Sequence, residues 1–307
     1  MHFQPMTVSQ VLDNTFRSYR KNFGAIITFT LLFQGSIMLL ISLLPILAEI
    51  LYSDALLFLL PFIYLAYVFF LLPIFFGGIT RFVSSDIQGT KLSLGDMLGS
   101  IKELFSKFTS TNAILILVVI LIVIAFVIVL SMLFGIIIAG AGLSLMSINE
   151  MAASTITIVL VLVMLIITIA LMVIVWLWVY MVYPVVEYEG LRNWKAIGRA
   201  IKLAYSKVWR VLGIILLFGL IYLLIALALF ALLALATYAF QSGSIDWLLL
   251  LESTAFLLLS NLLSVFLAPL VPVLSVWLYR DIRARVDGDD LALKIQNGDE
   301  DTELTTG

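Results

Sequence analysis

The chain has 307 residues, 63% of them hydrophobic and only 12% charged, with a formal net charge of −2. No water-soluble core could absorb so much apolar sequence, which excludes an ordinary soluble domain and predicts an all-α polytopic membrane protein. The lack of cysteine excludes structural disulfides, thiolate metal sites and thiol catalysis.

In chain order, the first predicted element is an amphipathic helix over 7–23. Val8, Val11, Leu12, Thr15, Tyr19 and Phe23 recur at helical spacing and define one buried face. Thr7 and Gln10 can form a capping box, each side chain satisfying a free backbone donor of the other. This helix feeds an apolar run from Gly24 that is too long for a signal peptide and lacks a cleavage pattern, so it is expected to remain as a span at 24–48. At 1.5 Å per residue that stretch reaches roughly 37 Å, enough to cross a bilayer with some tilt. Glu49, Ser53 and Asp54 turn the chain into a second span at 55–79. A second surface helix over 93–108 opens at Ser93 and carries the stripe Leu94, Met97, Leu98, Ile101, Leu104, Phe105 and Phe108. Spans three and four are predicted at 112–138 and 155–183. A third surface helix, 193–208, opens at Asn193 and carries Trp194, Ile197, Ile201, Ala204, Tyr205 and Val208. Spans five and six follow at 211–238 and 254–279, with Trp247 an interfacial anchor between them. The acidic, polar tail 286–307 is too poor in large apolar residues to fold alone.

The surface helices resemble one another. Each opens on a capping residue and ends on an aromatic followed two residues later by lysine: Tyr19 and Lys21, Phe105 and Lys107, Tyr205 and Lys207. Pro73, Pro184 and Pro272 each precede an arginine by eight residues: Arg81, Arg192 and Arg280. Together these features predict three parallel pseudo-repeats, each a surface helix, a span, an outer turn and a second span with a proline near its inner end. The three prolines are the candidate hinges. The three arginines, with Lys21, Lys107 and Lys207, are the candidate inner-interface anchors.

All 17 Lys and Arg fall on one side of the predicted spans, whereas the outer loops hold only Glu49, Asp54, Glu150, Asp246 and Glu252. The positive-inside rule then places both termini in the cytoplasm. The three amphipathic helices would lie on the inner face, against anionic lipid.

Reactive chemistry is sparse. His2 is the only histidine and sits at the terminus, and HExxH, P-loop and GxSxG patterns are missing. No metal, cofactor, catalytic group or nucleic-acid partner is expected. Glu187 and Glu189 are the nearest thing to paired carboxylates, but at i and i+2 on a helix they point about 200° apart, so a solvated or capping role is expected. Gln34, Asn261 and Ser264 are the best polar candidates within the spans, with interhelical hydrogen bonding favoured over ligand contact. Gly77 and Gly78 permit close helix approach.

The opening QPMTVSQVLDNTFRSYRKNFGAI resembles the start of bacterial proteins carrying the glycerophosphoryl diester phosphodiesterase membrane domain, and is similar to the YciC-like family of inner-membrane proteins. Pro5, Val8, Val11, Leu12, Thr15, Phe16, Arg17, Tyr19, Arg20, Asn22 and Phe23 carry the likeness, together with Tyr183-Pro184. The resemblance implies a bacterial cytoplasmic membrane location and a helical architecture. It implies no phosphodiesterase activity here, since the catalytic domain of some relatives is not in this chain. The expectation is a non-catalytic integral membrane protein acting by lateral association with lipid, with itself or with a membrane protein partner. The alternative is a transporter or channel for a lipidic or weakly polar solute, through a cavity between the three repeats near Gln34 or Asn261.

Overall fold

The strongest local signal opens the molecule as expected. Thr7 and Gln10 form the reciprocal capping box, and α1 runs Val8–Lys21 with Val11, Leu12, Thr15 and Ser18 buried. The computed structural model describes residues 4–52, 54–90, 92–145, 150–240 and 254–288; His2, Trp247 and the acidic tail from 289 lie outside the described residues. After α1 come α2 (Phe23–Thr30), a π-turn (Leu31–Gly35), α3 (Ser36–Ile50), a 3₁₀ turn (Asp54–Phe58), α4 (Leu59–Ala66), a second π-turn (Tyr67–Leu71) and α5 (Leu72–Ile87). Then follow α6 (Leu94–Gly99), α7 (Ile101–Leu145), α8 (Glu150–Glu189), α9 (Asn193–Ser206), α10 (Val208–Phe240), α11 (Thr254–Leu267) and α12 (Leu270–Val286). All regular structure among the described residues is helical. Among the described residues, five stretches are long and apolar enough to cross a membrane: Phe23–Pro45, Ala55–Ile87, Ile101–Val129, Val208–Leu235 and Leu259–Val286. The expected fourth span, 155–183, lies inside the continuous helix α8.

Several boundaries differ from expectation, each for a local reason. The predicted helix 93–108 divides at Ser100, whose backbone leaves the helical region and whose hydroxyl bonds the Met97 carbonyl at 2.8 Å. The Ser93–Asp96 capping box therefore serves only the short α6, and from Ile101 the surface stripe continues without interruption into the span. The expected cap at Asn193 is also not formed. Arg192 holds that position without a side-chain bond, and Asn193 sits at φ 55. Its N–H instead meets Thr111 Oγ1 at 2.9 Å. Helices α5 and α12 run past Arg81 and Arg280 rather than ending before them.

Prolines accompany the irregular backbone at the second π-turn and in the last span. At the second π-turn the Leu72 N–H reaches back to the Tyr67 carbonyl, so the Val68 carbonyl loses its ordinary donor. The next residue, Pro73, has no N–H to give. Asn112 of α7 fills the vacancy, its amide donating to the Val68 carbonyl at 3.0 Å. The first π-turn uses a local version: Ser36 N–H goes to Leu31, and the Ser36 hydroxyl donates to Leu32 at 2.6 Å. Pro269 and Pro272 break the last span between α11 and α12, and there the Tyr19 hydroxyl of α1 donates to the Phe266 carbonyl at 2.6 Å. Pro184 differs from the other two candidate hinges, since it lies inside the unbroken α8.

Packing follows a cyclic order. α1 lies on α12, the start of α7 lies on α5, and α9 lies on α8. Each surface element thus covers the proline-bearing helix that precedes it, with α1 closing onto the last. The covered helices α5, α8 and α12 also pack on one another. Their meeting line is filled by rings: Phe76 stacks on Tyr183 at 5.0 Å, and Tyr188 on Tyr279 at 5.3 Å. The buried core sits in this inner half, where Met181, Val185, Ala200, Val273 and Tyr279 are all sealed from solvent. Two glycines set the approach of α5 to its neighbours. A Cβ on Gly77 would lie 2.5 Å from the Phe108 ring, and one on Gly78 would collide with Phe29. Away from the core the helices expose apolar flanks, including Phe62 of α4, Leu121 of α7 and Ile166 of α8.

Candidate functional site

The charged residues form a collar around the C-terminal ends of the three central helices. α8 supplies its centre. Gly190, at φ 66, takes the left-handed conformation that ends this helix directly after Glu189. Glu187 and Glu189 diverge as the helical geometry requires, but neither is solvated. Glu187, 14% exposed, accepts from Lys107 at 2.8 Å and Arg81 at 3.3 Å. Glu189 accepts from the Tyr279 hydroxyl at 2.8 Å and from Arg199 at 3.1 Å. One carboxylate ties α8 to α5 and α7, and the other ties it to α9 and α12. The expected capping role is thereby corrected to a structural one. Partners from other elements, at positions 81, 107, 199 and 279, make the difference.

Arg199 extends the network to Asp287 at 2.9 Å, which Arg283 also reaches at 3.1 Å. Burial works to raise the Asp287 carboxyl, but the hydrogen bonds and charges of Arg199 and Arg283 prevail and hold it below the ordinary aspartate value. On Arg199, burial works downward and is outweighed by Asp287 and Glu189, which raise it. The exposed Asp96 is lowered by the Ser93 hydroxyl and backbone N–H of its capping box.

The most deeply buried charge in this collar was not singled out by sequence pattern. Asp281 of α12, 0% exposed, accepts from Arg210 at 2.7 Å, Arg285 at 3.0 Å and the Met6 N–H at 2.8 Å. The Met6 carbonyl in turn accepts from Arg285 at 2.8 Å and from Arg210. The only advance signal was an aspartate on an apolar helix face four residues before an arginine.

Of the candidate anchors, Arg81 and Lys107 are interior ion-pair members, with side chains 15% and 14% exposed. Arg81 also pairs with Glu103. Lys21 pairs with Asp86 at 2.7 Å. Arg192 and Lys207 are exposed at the two ends of α9. Arg280 lies over the Trp277 ring at 5.0 Å.

The candidate polar contacts within the spans serve the packing. Asn261 donates to Ser42 Oγ at 2.6 Å across α11 and α3, and the Ser264 hydroxyl bonds the Asn261 carbonyl at 2.6 Å. The space beside Asn261 is only about 10 Å³, room for one water at most and far too small for a solute. Gln34 is buried in the first π-turn, its Oε1 without a partner among the described residues. The expected ligand space at these residues is therefore closed at Asn261. A second polar chain went unpredicted: the Tyr183 hydroxyl donates to Asn112 Oδ1 at 2.6 Å, and Asn112 donates to Val68.

An open groove of about 540 Å³ does exist, on the side of the bundle rather than at its centre. Tyr180 of α8, Phe218, Gly219 and Tyr222 of α10, and Val271 of α12 line it. Its walls are apolar apart from the two phenols.

Three or more His, Cys, Asp or Glu side chains do not gather at any metal-sized site among the described residues. Compared with protein-family models, curated proteins and solved structures, the chain matches none. Its long apolar helices define the class, a helical protein of the membrane.

Proposed function

We propose that this is a six-span, non-catalytic integral protein of a bacterial cytoplasmic membrane, with both termini inside, that acts by lateral association with lipid or with other membrane proteins. The observation that carries this reading is the contrast between its two halves. Ion pairs and stacked rings bind the inner half into one body, while the apolar flanks of α4, α7, α8 and α10 face outward with no neighbour among the described residues. Bilayer lipid or a second protein surface is the environment that such flanks require. The cyclic packing of α1, the start of α7, and α9 supports three parallel repeats about an axis near the membrane normal. The differences at Asn193 and Pro184 fit repeats that have diverged in local backbone while retaining their packing order. The resemblance to the phosphodiesterase membrane domain and YciC-like families agrees with this location and remains part of the proposal. Single cysteines at Asp54, Glu150 and Asp246 test the topology: each should label from outside intact cells, and labelling only after permeabilisation overturns it. Sedimentation or single-particle mass in lipid nanodiscs, with and without membrane extract, tests lateral association.

The second reading, a carrier or receptor for a lipophilic solute, is favoured by the groove beside Tyr180 and Tyr222. Its volume suits a small apolar ligand with one or two hydrogen-bonding groups. A Gly219→Leu side chain would project into that groove, where a Cβ meets nothing within 4 Å. Loss of co-purified lipophilic molecules in that variant supports the reading, and an unchanged lipid extract removes it.

A further inference from the structure

A second pocket, about 570 Å³, lies between the N-terminal strap at residues 4–7, one flank of α1, and α12. Gln10, Asp13, Asn14 and Arg17 form its α1 wall, a set that helical spacing places on one face. Arg280 faces them from α12. The parts are held in place. Met6 in the strap is bonded through both its N–H and its carbonyl to the Asp281 cluster. Arg280 lies over Trp277, whose indole N–H is fixed to Ser18 of α1 at 3.0 Å.

The chemistry of the lining selects an anion. Two guanidinium groups face one carboxylate, and Asp13 already accepts from Ser9 at 3.4 Å. Arg17 is exposed and has no carboxylate partner among the described residues. The Gln10 carbonyl oxygen is spent on the Thr7 N–H at 2.7 Å, so its amide donors are the end free to turn toward a ligand. Asn14 spends one donor on the Met6 sulfur at 3.6 Å, a weak acceptor. Planar guanidinium forks and amide donors together suit the oxygens of a phosphate.

We propose that this pocket binds the phosphate of an anionic lipid headgroup in the inner leaflet, gripped by Arg17 and Arg280 with the Gln10 and Asn14 amides donating to it. This rests on the membrane topology proposed above, which puts the basic face of α1 at the inner leaflet. The volume accommodates a glycerophosphate-sized headgroup while the acyl chains run along the exposed flanks beside α1.

The full-length chain in an uncharged detergent can be titrated with short-chain phosphatidylglycerol, short-chain phosphatidylcholine or inorganic phosphate, reading the shift in thermal unfolding. Saturable stabilisation by phosphatidylglycerol is expected, weakened about tenfold by Arg17→Gln, a surface change that spares folding. Lys195→Gln, an equal loss of charge on exposed α9, should leave it unchanged. Equal weakening by both variants would mean diffuse attraction and overturn the site. Equal potency of inorganic phosphate would assign a soluble anion and overturn the lipid as its source, and an equal response to phosphatidylcholine would overturn selection for anionic lipid. A cysteine at Asp54, labelled in parallel, reports topology separately: outside labelling without lipid binding defeats the pocket alone, whereas inside labelling defeats the reading beneath it.

Discussion

Replacing Gly77 by alanine tests the packing that brings α7 against α5. The added methyl would lie 2.5 Å from Phe108 Cδ2 and 2.7 Å from Cε2, so the ring must withdraw by about 1 Å to restore ordinary carbon contact. Retreat is obstructed because Phe108 stacks on Tyr183 at 5.8 Å, and Tyr183 stacks in turn on Phe76. Overpacking of this kind costs about 1–3 kcal/mol, against roughly 1 kcal/mol regained when alanine replaces glycine inside a helix. The net expectation is a loss of up to about 2 kcal/mol. Gly213→Ala is the matched control, since nothing lies within 4 Å of its added Cβ, and it should be neutral or stabilising. Unfolding by sodium dodecyl sulfate in mixed micelles, followed by circular dichroism, reads both, and Phe108→Leu should relieve the Gly77→Ala defect. A Gly77→Ala change that stabilises the protein as much as Gly213→Ala does would refute the close approach of α5 and α7.

Asn112→Leu should cost about 1–3 kcal/mol in the same assay, because it strips the Val68 carbonyl of its donor and the Tyr183 hydroxyl of its acceptor; an unaffected midpoint would deny that Asn112 sustains the π-turn. Asp281→Asn removes the charge shared by Arg210 and Arg285 and should cost about 2–4 kcal/mol, below the fully buried penalty because both guanidinium groups are partly exposed. Limited proteolysis should then cut the released strap near Met6, and a resistant strap would count against the anchoring role of Asp281. Asp287 predicts a pH dependence. Its carboxyl is lowered from 3.8 in the folded chain, so the folded state binds fewer protons than the unfolded one. That contribution is present above 3.8 and disappears as pH falls through the lower folded value. Stability curves for the parent and Asp287→Asn should converge at acid pH, and parallel curves would reject the assignment.

Much of the architecture was legible because membrane sequence is repetitive in period and composition. The Thr7–Gln10 box is a local feature, readable within four residues, and it formed as read; of the expected stripe Val11, Leu12 and Thr15 are buried, whereas α1 ends at Lys21 and Phe23 is exposed at the start of α2. The angle between Glu187 and Glu189 was equally legible, being a property of any helix. Their partners were not, since Arg81, Lys107, Arg199 and Tyr279 arrive from four other elements. The cap at Asn193 failed for the same reason: Thr111, 82 positions earlier, offered its N–H a better acceptor and drew the residue into a left-handed backbone. The break at Ser100 escaped because the apolar stripe runs evenly through it, and periodicity does not register a single residue that leaves the helix. The lateral groove and the Asp281 cluster depend on which helices become neighbours, information spread over the whole chain.

The bonds joining α1 to the last span also set a constraint on assembly. Met6, Ser18 and Tyr19 find their partners at Asp281, Trp277 and Phe266, between 247 and 275 positions later. At ordinary synthesis rates those partners emerge on the order of tens of seconds after α1 does. Through that interval the apolar face of α1 lacks the helix that covers most of it, with only smaller contacts such as Phe16 on Phe218 of α10 available earlier. The lipid surface beside the translocation machinery is the one shelter continuously available to an amphipathic helix. The first segment made would then rest on the membrane as a waiting clasp, fastening only when the final span arrives, so a chain truncated before Phe266 would leave it open.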